Sequence, residues 1–259
     1  MKPILFNTEM VRAIQEGRKT VTRRLIKPQP AGELRRMGAD SCYPGCFAAN
    51  GEDRVYRPPY MAGDVLYVRE TWQAVYETEW SEENPYTGEN IRKLISNFDS
   101  IPKVEAGISS ECKSDPMKPR MKYFVFKASN IQYTDSENGL IWRPSIHMPR
   151  VAARIFLRVT AVRAERLGWM EKEDVLREGV QPKYDAEGCR CEWESEGCRE
   201  KPCPNREGYI TFCHLIPFWK VWDSTIKAAD RETYGWEANP WVWVIEFERI
   251  SKEEAADGT

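Results

Sequence analysis

The chain reads as an α+β protein, a mixed sheet or small barrel with a few flanking helices and large loop insertions. Runs rich in β-branched and aromatic residues recur along its 259 residues, as strands require. A few other segments space their apolar residues as helices do. Three long stretches, at about 27–59, 73–121 and 181–208, are rich in proline, glycine and charge and read as insertions into a single domain spanning residues 1–259.

The elements follow in order. Thr8 can cap a helix running to Glu16, with Glu9 favourable in the first turn and Met10, Val11 and Ile14 as its apolar stripe. Gly17 is suited to end it. Residues 20–26 form a β-branched strand stopped by Pro28. Residues 64–71 form another, entered through Gly63, in which Leu66, Val68 and Glu70 share one face. A carboxylate in line with two core residues either sits at an exposed strand end or faces inward for a reason. Residues 123–128 and 154–162 are further strands, and 171–178 is a short helix closed by Gly179. Leu215, Phe218, Trp219, Trp222 and Ile226 mark a helix, and residues 241–249 a final strand.

Charge and composition narrow the function. With 38 basic and 40 acidic residues the net charge is −2, so any contact with nucleic acid must rest on a local patch. Such a patch exists: between Val11 and Arg36 lie Arg12, Arg18, Lys19, Arg23, Arg24, Lys27, Arg35 and Arg36, against only Glu16 and Glu33. No segment approaches the ~18 apolar residues of a membrane helix, and the first residues lack the apolar run of a signal peptide. A cytoplasmic protein without a membrane partner is expected. Its eight cysteines are then reduced thiols or metal ligands.

The densest part of the basic patch is Gly17-Arg18-Lys19-Thr20-Val21-Thr22-Arg23-Arg24, whose amine, hydroxyl and guanidinium groups suit a phosphate or a nucleotide carbonyl. This octapeptide resembles the ASCH family, as does the order of Gly63-Asp64-Val65-Leu66, Arg177-Glu178-Gly179 and Trp243-Val244-Ile245-Glu246-Phe247. Val68-Arg69-Glu70-Thr71-Trp72 and the segment from Trp142 to Arg150 are similar to long ASCH-like proteins of phages and prophages. The resemblance implies a PUA-like mixed β-barrel and recognition of RNA, a nucleotide or a modified nucleoside. One branch of that superfamily hydrolyses N4-acetylcytidine with a lysine, a threonine three residues later and a glutamate in a later helix. Those positions fall on Lys19, Thr22 and Glu178, the expected catalytic set of an amidohydrolase.

Amide hydrolysis needs a nucleophile, a base and a donor for the developing oxyanion. The Thr22 hydroxyl can attack if a desolvated Lys19 takes its proton. Residues i and i+3 fall on opposite faces of a strand, so Lys19 must sit in the bend before it, which Gly17 makes easy. Arg23, Arg24, Glu70 and Trp72 are expected around the substrate. The segment from Trp142 to Arg150 adds a ring in Trp142, a hydroxyl in Ser145, an imidazole in His147 and a cation in Arg150, stiffened by Pro144 and Pro149. The bland alternatives are a basic edge strand paired with Glu70 or loop carboxylates, and a rigid connection with Trp142 packed inside.

Two rival functions stay open. A nuclease would gather Glu70, Glu178 and His147 around Mg2+ or Mn2+. A non-catalytic nucleic-acid or modified-base binding module would depend on Trp72 or Trp142. Separately, Cys189, Cys191, Cys198 and Cys203 offer four thiolates within one polar insertion, the donor set of a structural Zn2+ site. Cys213 or His214 can substitute for one of them, and Cys42 with Cys46 forms a weaker pair. The sequence says nothing about the oligomeric state.

Overall fold

The computed structural model describes residues 1–76, 95–109, 120–132, 141–180, 184–185, 188–189 and 210–257. In chain order its elements are β1 (Lys2–Leu5), α1 (Thr8–Gln15), β2 (Val21–Leu25), β3 (Leu34–Arg36), β4 (Phe47–Ala49), β5 (Val55–Tyr56), β6 (Val65–Arg69) and β7 (Trp72–Tyr76). There follow β8 (Val104–Ser109), β9 (Arg120–Phe126), β10 (Phe156–Arg166), α2 (Lys172–Arg177), β11 (Tyr184–Asp185) and β12 (Gly188–Cys189). The chain continues through α3 (Ile210–Thr225), α4 (Arg231–Tyr234), β13 (Trp241–Ile250) and α5 (Lys252–Asp257). The α+β class is as the sequence implies.

Two compact units share these elements. One comprises Met1–Arg12, Val65–Arg158 and Arg249–Thr259, the other Ala13–Asp64 and Val159–Glu248. In the first, β1 lies parallel to β6, with Lys2 opposite Leu66 and Leu5 opposite Arg69. The start of β10 runs antiparallel to β6, with Leu157 opposite Leu66. A second sheet has the order β7-β9-β8. Their inward faces bury Val65, Trp72, Phe124, Phe126, Met148, Phe156 and Ile250, and a neighbouring cluster holds Val75, Ile95, Phe98 and Val125.

In the second unit β2 runs antiparallel to β13, with Val21 opposite Glu246 and Leu25 opposite Val242. Its core collects Val21, Val242 and Val244 from these strands, Leu167 and Met170 from the turn after β10, Val175 from α2, and Phe218 and Trp222 from α3. The Trp222 indole N–H donates to the carbonyl of Tyr234 at 2.9 Å, so a buried ring has its polar atom satisfied. A small sheet of order β3-β4-β5 completes this unit.

Three expectations change. None of the described sheets closes into a barrel. At its start β2 meets a helix end instead: Thr20 N–H donates to the Arg177 carbonyl, and Lys19 bridges to Glu178. Next, the stretches at 27–59 and 73–121 contain strands β3 to β5, most of β7, and β8, while β9 falls on the strand expected at 123–128. Strands of two or three residues, such as β5, are too short for alternation to register, and β8 is interrupted by Gly107 at φ +78° and a register shift. Finally, α1 is capped by Asn7, whose side-chain oxygen accepts the Met10 N–H at 2.8 Å, and not by Thr8. Asparagine is as good a cap as any, and here it precedes the first helical residue.

Candidate functional site

Two bends deliver Lys19 to the interior. Gly17, at φ +75°, turns the chain out of α1, and the N–H groups of Arg18 and Lys19 both donate to the Ala13 carbonyl. On the other side α2 ends at Glu178, followed by Gly179 at φ +84°, the left-handed residue that commonly closes a helix. A methyl group at Gly179 would lie 2.6 Å from Ala13 Cβ and 2.9 Å from Lys19 Cβ. Glycine there serves both the turn and the close approach of the two segments. The bend required before β2 is present.

Lys19 is fully enclosed, with no exposed side-chain surface. Its Nζ donates to the Val21 carbonyl at 2.8 Å, the Glu178 carbonyl at 3.0 Å and Glu178 Oε2 at 2.6 Å. Three N–H bonds thus have three oxygens. The other carboxylate oxygen of Glu178 accepts from Arg23 Nη1 at 3.2 Å. Arg23 Nη2 reaches Glu165 Oε1 at 2.8 Å and Asp174 Oδ2 at 3.0 Å. Arg163 links Glu165, Asp174 and Glu246, and Arg177 closes the series on Glu246 at 2.6 Å. Lys19, Arg23, Arg163 and Arg177 are balanced by Glu178, Glu165, Asp174 and Glu246, so these groups are neutral as a set. Thr22 is also buried, on β2 opposite Ile245.

Burial is the strongest influence on Lys19 and lowers its affinity for a proton, because a charged amine is costly away from water. Glu178 opposes this, while Arg24 and Arg23 add to it, and the net direction is downward. Arg24 is lowered as well, again by burial, against the attraction of Glu178 and Tyr60.

At the outer end of the series, burial would raise the Glu246 carboxyl, but Arg177 and Arg163 outweigh it and hold the group below its usual value of 4.5. The unfolded chain then binds a proton more readily than the folded one. That increment of stability is present above about pH 4.5 and is lost as pH falls through the lower, folded-state value. Thermal melts between pH 6 and pH 3 should show wild type losing more stability on acidification than Arg177→Ala; equal losses would contradict this.

The remaining sequence candidates lie in the first unit. Glu70 faces inward and is 1% exposed. Arg154 grips both its oxygens, at 2.8 and 2.9 Å, donates to Ser129 Oγ at 2.9 Å, and lies over the Phe126 ring at 4.1 Å. Trp72 is buried edge-on to Phe124, and Trp142 packs against the Val75–Phe98 cluster. Ser145 and His147 form one single-turn helix and Arg150 opens another, each preceded by proline. Between them Met148 is wholly buried, and its carbonyl accepts from Arg69 Nε at 2.9 Å. His147 and Arg150 are exposed.

Sequence reading missed Glu165, Asp174, Arg163 and Arg154. Asp174 and Glu178 are four apart and share a helix face, and Arg163 and Glu165 are two apart on a strand, so the periodicities carried a signal.

Of the four cysteines proposed for zinc, Cys191, Cys198 and Cys203 lie outside the described residues, and of Cys189 only the backbone, in β12, is described. Among the described residues no group of three or more His, Cys, Asp or Glu is placed to hold a metal. No helix there is long and apolar enough to cross a membrane. Comparison with family models, curated proteins and solved structures gives no match to this chain.

Proposed function

We propose that the protein is an ASCH-like amidohydrolase that recognises a modified nucleoside and cleaves the N4-acyl amide of cytidine at Lys19, Thr22 and Glu178. The observation that supports this most is the enclosure of Lys19 against Glu178 at 2.6 Å, with its proton affinity lowered by burial. Perturbed, buried titratable groups of this kind concentrate at functional sites. Lys19 and its partner Glu178 are also two of the three residues that the resemblance assigns to the chemistry.

In this reading the Thr22 hydroxyl attacks the acyl carbon and Lys19, in its neutral form, takes the hydroxyl proton. The C–N bond then breaks, and Lys19 returns that proton to the departing cytidine amine. Water then gives a proton to Lys19 and attacks the acyl-threonine; the ester C–O bond breaks, Lys19 returns the proton to Thr22 Oγ, and a carboxylic acid leaves. Glu178 anchors Lys19 and limits how far burial lowers its proton affinity. Arg23 contacts three carboxylates, Glu178 among them, and so acts on the site through Glu178.

Incubation with N4-acetylcytidine tests the proposal. Wild type should release acetate and cytidine, and Lys19→Ala should lose at least about a hundredfold in rate, the scale of one proton-transfer group. Equal release by the two proteins would refute the assignment. Binding without turnover would favour a modified-base reader. Cleavage of RNA or DNA only with Mg2+ or Mn2+ would favour a nuclease.

A further inference from the structure

Arg23 is the hub of the buried cluster. Its guanidinium touches Glu178, Glu165 and Asp174, with no side-chain surface exposed. Its two terminal nitrogens are taken up by three carboxylates, although the sequence places it among the substrate-binding cations. Its Nε is buried without a hydrogen-bond partner among the described residues. A buried donor left unmade is unfavourable. The side chain is therefore held by what its two terminal nitrogens do, at the expense of Nε.

One of those nitrogens acts on the working pair. Glu178 presents Oε2 to Lys19 and Oε1 to Arg23, so the arginine fixes the rotation of the carboxylate that holds the lysine. The other nitrogen ties Arg23 to Glu165 on β10 and Asp174 on α2. Arg163 joins that same pair of carboxylates. The ion series thereby connects three separate elements to one carboxylate orientation.

We infer that Arg23 is a positioning residue for the proposed reaction: by clamping Glu178 it fixes how strongly Lys19 holds its proton. The inference rests on the amidohydrolase reading for its consequence in turnover, but its physical content does not need a substrate. Among the described residues, charged groups that act on Lys19 include Glu178 from the end of α2 and Arg24 and Arg23 from β2. Removing the Arg23 charge takes away one cation that disfavours protonated Lys19. It also leaves Glu178 free to turn wholly toward the amine. Both changes act in one direction, raising the proton affinity of Lys19.

The test is a pH titration of the Lys19 Cε resonance in protein labelled with 13C at lysine Cε, assigned by its absence in Lys19→Met. Arg23→Gln should move the titration upward by roughly one pH unit. The low-pH limb of N4-acetylcytidine hydrolysis should move with it, since turnover needs neutral Lys19. Arg177→Ala, at the far end of the series, should leave both unchanged. Should Arg23→Gln not fold, Arg23→Lys keeps the charge but cannot reach all three carboxylates, and a smaller upward shift is expected. An unmoved Lys19 titration in a folded Arg23 variant overturns the inference. If wild type hydrolyses no acylated cytidine while the titration still shifts, the amidohydrolase reading fails and the positioning of Lys19 by Arg23 stands.

Discussion

Glu178→Ala is expected to destabilise the protein by about 3–5 kcal/mol, the cost of leaving one member of a buried ion pair uncompensated. Lys19 would keep its two carbonyl acceptors and lose the carboxylate that it touches at 2.6 Å, in a site with no exposed side-chain surface. Arg23 would lose one of three carboxylates. Denaturant melts of wild type and variant measure the loss directly. The double variant Lys19→Met/Glu178→Leu separates stability from chemistry. Replacing a buried pair by apolar groups of similar size is often neutral, so much of the stability should return. Turnover should not. A Glu178→Ala protein within 1 kcal/mol of wild type would mean that Lys19 is not held as a buried cation.

The second large effect lies in the other unit. Glu70→Ala removes both oxygens that Arg154 grips, and Arg154 is 9% exposed against 1% for Glu70. The guanidinium keeps Ser129 Oγ and the face of Phe126, so the loss should fall near 3 kcal/mol, the lower end for a broken buried pair. A double-mutant cycle with Arg154→Met gives the coupling between the two. Coupling below about 0.5 kcal/mol would show that the pair is solvated and contributes as little as a surface bridge.

Glu70 also illustrates how far the sequence could be read. Alternation put it in line with Leu66 and Val68, and its inward direction was one of two readings of that line. Its partner was hidden: Arg154 is 84 residues away, at a position that reads as the start of a strand. Ion pairs between distant elements leave no local periodicity. The same holds at Lys19. The bend at Gly17, the strand after it and the helix closed at Gly179 were legible from local chemistry. The pairing of Lys19 with Glu178, 159 residues apart, came only from the resemblance. Glu165 and Asp174 were missed because each looks like an ordinary solvated carboxylate until Arg23 is seen between them. The closed barrel failed for a related reason. Strand propensity says which segments are extended, but closure depends on which edges meet, and β2 begins against a helix end.

The most direct measurement is the rate of acetate release from N4-acetylcytidine by Lys19→Arg, at a temperature where melts show it folded. Arginine preserves a cation for Glu178 but is not deprotonated in proteins, so it cannot take a proton from Thr22. If Lys19 exchanges the proton, turnover falls at least about a hundredfold while the fold remains. Release at the wild-type rate would contradict that role, and leave Lys19 and Glu178 as a buried pair that only holds β2 against α2.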